Sequence, residues 1–259
     1  MLIGSRVSET APTFERLIEE AWSQPIVGWD FSYLVGRWRE PDLPWDYIGR
    51  VREALRQATA LLDMGTGGGE LLASLQPLPP VVYATEGYPP NVPVATARLA
   101  PLGVHVRAIE DDAHLPLPDS FFDLVINRQE KFIAEEVARI LKPGGRFITQ
   151  QVGERNLAEI NDWLGAPLTL RPSSYERAQR FLATSGLEIV DRDEAFPERA
   201  FYDVGALVYF LKAVAWQVPG FTPQRFEPQL RAIRAHIQSA EALVGRDHRY
   251  FIEAYKPDR

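Results

Sequence analysis

The chain has 259 residues, 46% of them hydrophobic and 24% charged, which is the balance of a folded protein and excludes wholesale disorder. Its 28 Lys and Arg against 35 Asp and Glu leave a net charge of −7, so the overall basic footprint of a nucleic-acid binder is absent. There is no cysteine, which excludes disulfides, thiolate zinc sites, iron–sulfur clusters and cysteine nucleophiles together.

From the N-terminus, Met1 to Glu20 mixes charge with polarity and lacks the apolar core of a signal peptide, so a cytoplasmic protein is expected. Residues 1–57 read as a mainly helical lid, broken by an aromatic stretch from Gly28 to Leu34 and again at Pro41 to Trp45. The core of the fold is read over 58–153. Ala60–Met64 is a short apolar strand ending in the cluster Gly65-Thr66-Gly67-Gly68-Gly69, and Glu70 to Leu75 reads as the helix behind it. Val81–Glu86 is a second strand, Val92 to Leu99 a helix, Val104–Ile109 a third strand and Phe122–Asn127 a fourth. Lys131 to Leu141 has apolar residues at helical spacing, Lys142-Pro143-Gly144-Gly145 stops it, and Arg146–Val152 is a fifth strand. Strands alternating with helices in this way imply an α/β, Rossmann-like, doubly wound and mostly parallel sheet with helices on both faces. Residues 154–259 read as the rest of a seven-stranded sheet with a helical insertion: helices at Leu157 to Trp163, Ser174 to Ser185, Val204 to Trp216 and Pro228 to Leu243, strands at Leu187–Val190 and Tyr250–Tyr255. The apolar run Val204 to Val218 contains Lys212 and is shorter than the ~20 residues a membrane span needs. One continuous domain with helical additions is expected.

Chemistry is expected at the carboxyl ends of the strands, where ligands of such sheets bind. The glycine cluster lets the main chain turn and approach a ligand closely. Taken alone it also fits an ordinary tight turn. Three acids at three consecutive strand ends, Asp63, Glu86 and Asp112, are harder to explain as solvated surface. A carboxylate at Glu86 can accept from both hydroxyls of a ribose, and one at Asp112 from the amine of a purine. A dinucleotide reading is weaker, because Glu70 stands where that fingerprint needs a small residue and no pyrophosphate would favour the charge. The histidines, His105, His114, His236 and His248, are scattered without metal-ligand spacing, and no metal is expected.

In ordered combination these motifs resemble the class I S-adenosylmethionine-dependent methyltransferases, of the type-11 methyltransferase domain group. The matching residues are Leu61 to Gly69, Glu86, Asp112-Ala113, Leu115 to Val125, and Glu136 to Gly145. The resemblance implies S-adenosylmethionine as cofactor, S-adenosylhomocysteine as product, and a cofactor site of Asp63, Met64, Gly65, Thr66, Gly67, Gly69, Glu86, Gly87, Asp112, Ala113 and Asn127. Asp63 and the glycine loop would surround the methionine part, Glu86 the ribose, Asp112 and the Ala113 main chain the adenine. The Asn127 carbonyl would lie under the sulfonium. Gly87 departs from the pattern, which places a bulky apolar residue there; Tyr88 or Pro89 is the substitute.

The acceptor is less defined, and no catalytic residue is assigned. Absence of cysteine excludes a cysteine-dependent pyrimidine methylase, and Asn127-Arg128-Gln129-Glu130 lacks the Asn-Pro-Pro-Tyr pattern of amino-group methylases. Trp29, Phe31, Tyr33, Trp38 and Trp45 could wall a small substrate or could pin the N-terminal helices in place. Trp29, Asp30, Tyr33, Arg128 and Gln151 are the candidate substrate contacts. A small-molecule acceptor is the first reading, in a monomer or homodimer without membrane contact. The alternatives are an RNA or protein methyltransferase, using a basic strip of Arg37, Arg39, Arg50, Arg52 and Arg56, or a non-catalytic cofactor-binding protein.

Overall fold

The computed structural model describes residues 12–26, 29–168 and 174–258. Gly28, the expected start of the aromatic stretch, and the first 11 residues lie outside them. Helices α1 (Phe14–Ser23) and α2 (Tyr47–Leu55) flank strand β1 (Trp38–Arg39). Then follow β2 (Ala60–Met64), α3 (Glu70–Ser74), β3 (Val81–Glu86), α4 (Asn91–Leu99), β4 (His105–Ala108), β5 (Phe122–Arg128), α5 (Ala134–Ile140) and β6 (Leu141–Val152). The remainder is α6 (Ala158–Leu164), α7 (Tyr175–Thr184), β7 (Glu188–Ala195), β8 (Glu198–Phe201), α8 (Val204–Ala213), α9 (Glu227–Ala240), β9 (Leu243–Arg246) and β10 (Arg249–Tyr255).

The chain divides into two compact units. One contains residues 41–158, 174–198 and 246–258 of the described chain and holds a seven-stranded sheet in the order β4-β3-β2-β5-β6-β10-β7. Strands β2 to β6 run parallel, and β10 runs antiparallel between β6 and β7. All five residues of β2 are buried, as a central parallel strand covered on both faces requires. Its alternate side chains feed two cores. Leu62 and Met64 pack with Val125, Phe147, Ile252 and the apolar sides of α5 and α7; Leu61 packs with Leu124, Ile126, Ile148 and the apolar sides of α2, α3 and α4. At the opposite end of β2 from the glycines, Asp123 accepts from the main-chain N–H groups of Thr59 (2.9 Å) and Ala60 (2.8 Å) and pairs with Lys142 at 2.9 Å. Burial opposes that charge, but these hydrogen bonds outweigh it and hold the carboxyl down at about 2.

Several expected boundaries differ: α8 ends at Ala213 rather than Trp216, α9 ends at Ala240 with Leu243 in strand β9, and β7 runs on to Ala195. The helix expected from Lys131 begins at Ala134, because Ile133 is extended (φ −110°, ψ 118°) and Gln129 takes φ +61°. Residues 129–133 are therefore loop. Leu141 is also extended and pairs with Phe122, so β6 begins before the Pro-Gly-Gly run rather than after it.

The second unit contains residues 12–40, 159–168 and 199–245 of the described chain. A small sheet of order β1-β8-β9, not anticipated from the sequence, joins Trp38 to Phe201 and Arg39 to Ala200. Its strands are two to four residues long, too short to show a periodic pattern. Helix α8 is buried from Val204 through Leu211, and Lys212 at its end donates to the Trp22 and Gln24 carbonyls (2.6 and 2.7 Å), closing the C-terminus of α1. Phe31, Trp38, Phe201 and Phe210 stack in one cluster, with the buried Arg199 guanidinium 4.2 Å over Trp38. Among the described residues no helix is long and apolar enough to cross a membrane, and no three His, Asp or Glu side chains group to hold a metal ion.

Candidate active site

The site forms where β2, β3, β4 and β5 end. Gly65, Gly67 and Gly69 all take positive φ (71°, 62° and 81°), which side-chain-bearing residues adopt only with strain. The loop is tied to β3: Thr66 N–H donates to the Thr85 carbonyl (2.9 Å) and Gly65 N–H to the Thr85 hydroxyl (3.3 Å). From outside, Arg98 of α4 reaches the Gly68 carbonyl and the Glu70 carboxylate.

Beside this loop lies a crevice of about 270 Å³, lined by Gly65, Glu86, Gly87, Tyr88, Ile109, Glu110, Asp111, Asp112 and Glu130. Glu86 is 5% exposed, and one of its oxygens accepts from Tyr88 N–H at 2.7 Å, which fixes the carboxylate at the strand end. Asp112 is half-buried, and its pKa is raised, first by burial and then by the charge of Glu130; Lys131 stands 3.8 Å away. Gly87 has open space where a side chain would stand, its nearest neighbour being Ile109 at 3.8 Å. The apolar contribution here comes from Ile109 and Tyr88.

Asp63 and Thr66 are not part of that lining. Asp63 is 3% exposed, and burial, reinforced by the charge of Glu86, pushes its carboxyl up to about 6. The Thr66 hydroxyl lies close enough to temper that shift, yet it is buried without a partner of good hydrogen-bond geometry. Met64 sends its side chain into the core, and only its main chain faces the strand end, accepting from Asn127 Nδ2 at 3.2 Å. Ala113 N–H is already donated to Asp111 at 2.7 Å.

Asn127 is fully buried. Its Oδ1 accepts from Thr149 at 2.9 Å and from Gln151, and its main-chain carbonyl accepts from Tyr47 at 3.3 Å. Gln151 also donates to the Glu130 carbonyl at 2.9 Å, so this candidate substrate contact braces the loop after β5. Arg128 is exposed at the end of β5. Trp29, Asp30 and Tyr33 belong to the other unit. There Trp29 is 55% exposed and meets Trp216 at 5.5 Å, the Asp30 carboxylate caps Ser32 at 2.8 Å, and Tyr33 stacks on Tyr209 at 4.8 Å. Trp45, in the sheet-bearing unit, donates to Gln150 at 2.8 Å.

Four crevice residues were missed by sequence reasoning: Ile109, Glu110, Asp111 and Glu130; Glu110 and Asp111 directly precede the expected Asp112. Ile109 continues the alternation of Val104 and Val106 with a one-residue slip and could have been found there. Glu130 carries no local signal, because the loop holding it reads as the start of a helix.

Residues 62–149 match the family model described as "Methyltransferase domain". The chain is 31% identical over 97 residues to a protein-L-isoaspartate O-methyltransferase of Methylorubrum populi, covering 37% of this chain and 46% of that protein. It is 27% identical over 163 residues to the ubiquinone/menaquinone biosynthesis C-methyltransferase UbiE of Ralstonia pickettii, covering 54% and 65%. It therefore spans less than two thirds of either curated relative. Among solved structures, a candidate methyltransferase from Bacillus halodurans C-125 superposes with a TM-score of 0.59 at 16% identity, over 81% of this chain and 98% of that one, which is a likeness of fold. With its strand order, motif order and family match taken together, the sheet-bearing core belongs to the class I S-adenosylmethionine-dependent methyltransferase domains.

Proposed function

We propose that the chain transfers the methyl group of S-adenosylmethionine to a small-molecule acceptor. The observation that carries this reading is the meeting of Gly65, Glu86 and Asp112, from the ends of three strands, in one crevice. The residues fit the cofactor: a carboxylate for the ribose hydroxyls, a second for the adenine amine, a glycine loop for the amino-acid tail and, within that loop, the unsatisfied Thr66 hydroxyl. When bound there, the cofactor supplies a methyl on a cationic sulfur, which an acceptor lone pair displaces while the C–S electron pair stays on sulfur. The chain's part is to hold, orient and desolvate. Glu86 and Asp112 fix the nucleoside, Asp63 stands beneath the loop to meet the tail, and the Asn127 network holds the end of β5 in place.

Against a macromolecular acceptor, four of the five arginines of the expected basic strip are already engaged. Arg37 pairs with Asp203, Arg50 with Asp191 and Glu253, and Arg56 with Glu53; Arg52 reaches the Ser74 carbonyl. The test follows S-adenosylhomocysteine release with a panel of small-molecule acceptors. Acceptor-dependent release is the expected result. Cofactor binding without turnover on any acceptor would support the non-catalytic reading instead.

A further inference from the structure

On the α2 face of the seven-stranded sheet, the strand ends carry polar side chains outside the crevice. Leu61 of β2, Ile126 of β5 and Ile148 of β6 pack into the core on that face. Side chains alternate along a strand, so Asp63, Arg128 and Gln150 continue the same three rows where the apolar residues stop. Arg128 and Gln150 are partners in the register of β5 and β6. Arg128 is exposed, and among the described residues its guanidinium has no hydrogen-bond or ion-pair partner. Burial pushes the Asp63 carboxyl and the Tyr47 hydroxyl up, and the Arg128 charge tempers both shifts, so it lies near these two buried groups. Gln150 is 4% exposed, and its Oε1 accepts from the Trp45 indole N–H at 2.8 Å. An indole N–H can only donate, so this bond sets the amide one way round. The Gln150 NH2 group is turned away from Trp45, has no partner among the described residues and is not sealed from solvent. A buried amide with open donors, next to an open guanidinium, is a row of donors without an acceptor.

We infer that Arg128 and Gln150 seat a carboxylate group of the methyl acceptor. The inference rests on the proposed function, which places the nucleoside at the ends of β3 and β4 and the amino-acid tail at the glycine loop after β2. In the strand order, β5 and β6 come next, and their ends are left for the acceptor. A guanidinium offers parallel N–H groups that match the two oxygens of a carboxylate, and the amide NH2 adds a further donor beside them. A carboxylate carries one negative charge. A phosphate carries nearly two and would meet stronger repulsion from Asp63 and from the acids of the crevice. Such a seat selects the acceptor by charge and orients it without touching the reacting atoms.

The experiment titrates benzoate, benzamide and phenyl phosphate into the full chain saturated with S-adenosylhomocysteine, at constant ionic strength, with binding read by ligand-observed NMR. Wild type is compared with Arg128→Gln, Arg128→Lys and Gln150→Glu. Benzoate and benzamide have nearly the same shape and differ in charge. The wild type is expected to bind benzoate at least roughly tenfold more tightly than benzamide. Arg128→Gln and Gln150→Glu should each bring that ratio to within about twofold of one, and Arg128→Lys should keep part of it. Gln150→Glu leaves an oxygen for Trp45 and removes the outward donors. S-adenosylhomocysteine affinity, expected to change by less than about twofold, shows that each variant is folded. Equal binding of benzoate and benzamide by the wild type, or a preference untouched in either Arg128→Gln or Gln150→Glu, would overturn the inference. Tighter binding of phenyl phosphate than of benzoate would overturn the assignment to a carboxylate. A loss of S-adenosylhomocysteine affinity in Arg128→Gln as large as the loss of benzoate would make the cofactor's own carboxylate the ligand and overturn the assignment to the acceptor. A wild type that does not bind S-adenosylhomocysteine would instead remove the proposed function.

Discussion

Asp63 shows how burial converts a residue choice into pH dependence. In the unfolded chain its carboxyl titrates near the ordinary 3.8, and in the fold near 6, so between these values the folded state holds the extra proton. Its contribution is therefore favourable below about pH 4 and is lost as pH rises through 6. Asp63→Asn removes the buried charge. It should be more stable than wild type by about 2–3 kcal/mol at pH 8, with the difference fading toward pH 4. Urea melts across that range check it, and a constant offset would contradict the assignment of a buried, ionising Asp63. Glu86 differs from Asp63 in that it lines the crevice and accepts a main-chain N–H beside it. A buried carboxyl group at such a place can accept from a donor brought in by a ligand.

At the scale of elements, the Asn127 network joins three strands. Its amide bonds Met64 of β2, Thr149 and Gln151 of β6, and sits itself in β5. Asn127→Ala would leave those donors and the Met64 carbonyl without this partner in a dry interior, at a cost of about 2–4 kcal/mol. Chemical denaturation measures it; a loss under 1 kcal/mol would mean that water or repacking replaces the amide. The strands of this sheet were legible in the sequence because a fully buried parallel strand such as Ala60–Met64 is apolar but for the acid near its exit, where the glycines follow. The crevice acids Glu86 and Asp112 were legible for the same reason, being local to strand ends. What escaped depends on long-range contact. The Trp38, Phe201 and Leu243 strands are too short to carry a period, and Glu130 is aimed by the positive φ of Gln129 and by Gln151, 21 residues away. The role of Gln151 as a brace was likewise invisible without the fold.

For the whole molecule, charge is the informative property. The net −7 is joined by an acidic crevice and by arginines paired with neighbouring carboxylates at the surface. Phosphate binding through counterion release needs cationic charge that nearby acids do not offset, so affinity for bulk tRNA or duplex DNA should be weaker than about 100 µM at physiological salt. A gel-shift titration in low and moderate salt tests this; a salt-sensitive complex at low micromolar concentration would restore the macromolecular reading. The two curated relatives carry different acceptors in their names, a protein residue and a quinone-pathway carbon. Shared fold and shared cofactor chemistry thus leave the acceptor to be established by experiment.

The central claim is that a nucleoside cofactor sits in the crevice at the ends of β2, β3 and β4, and its most direct measurement is the affinity of S-adenosylmethionine for wild type and Glu86→Ala side by side. The account predicts one-to-one binding by the wild type and a loss of about 1.5–3 kcal/mol in the variant, roughly ten- to a hundredfold in Kd. A folded wild type that does not bind, or a Glu86→Ala variant that binds as tightly as wild type, would contradict it.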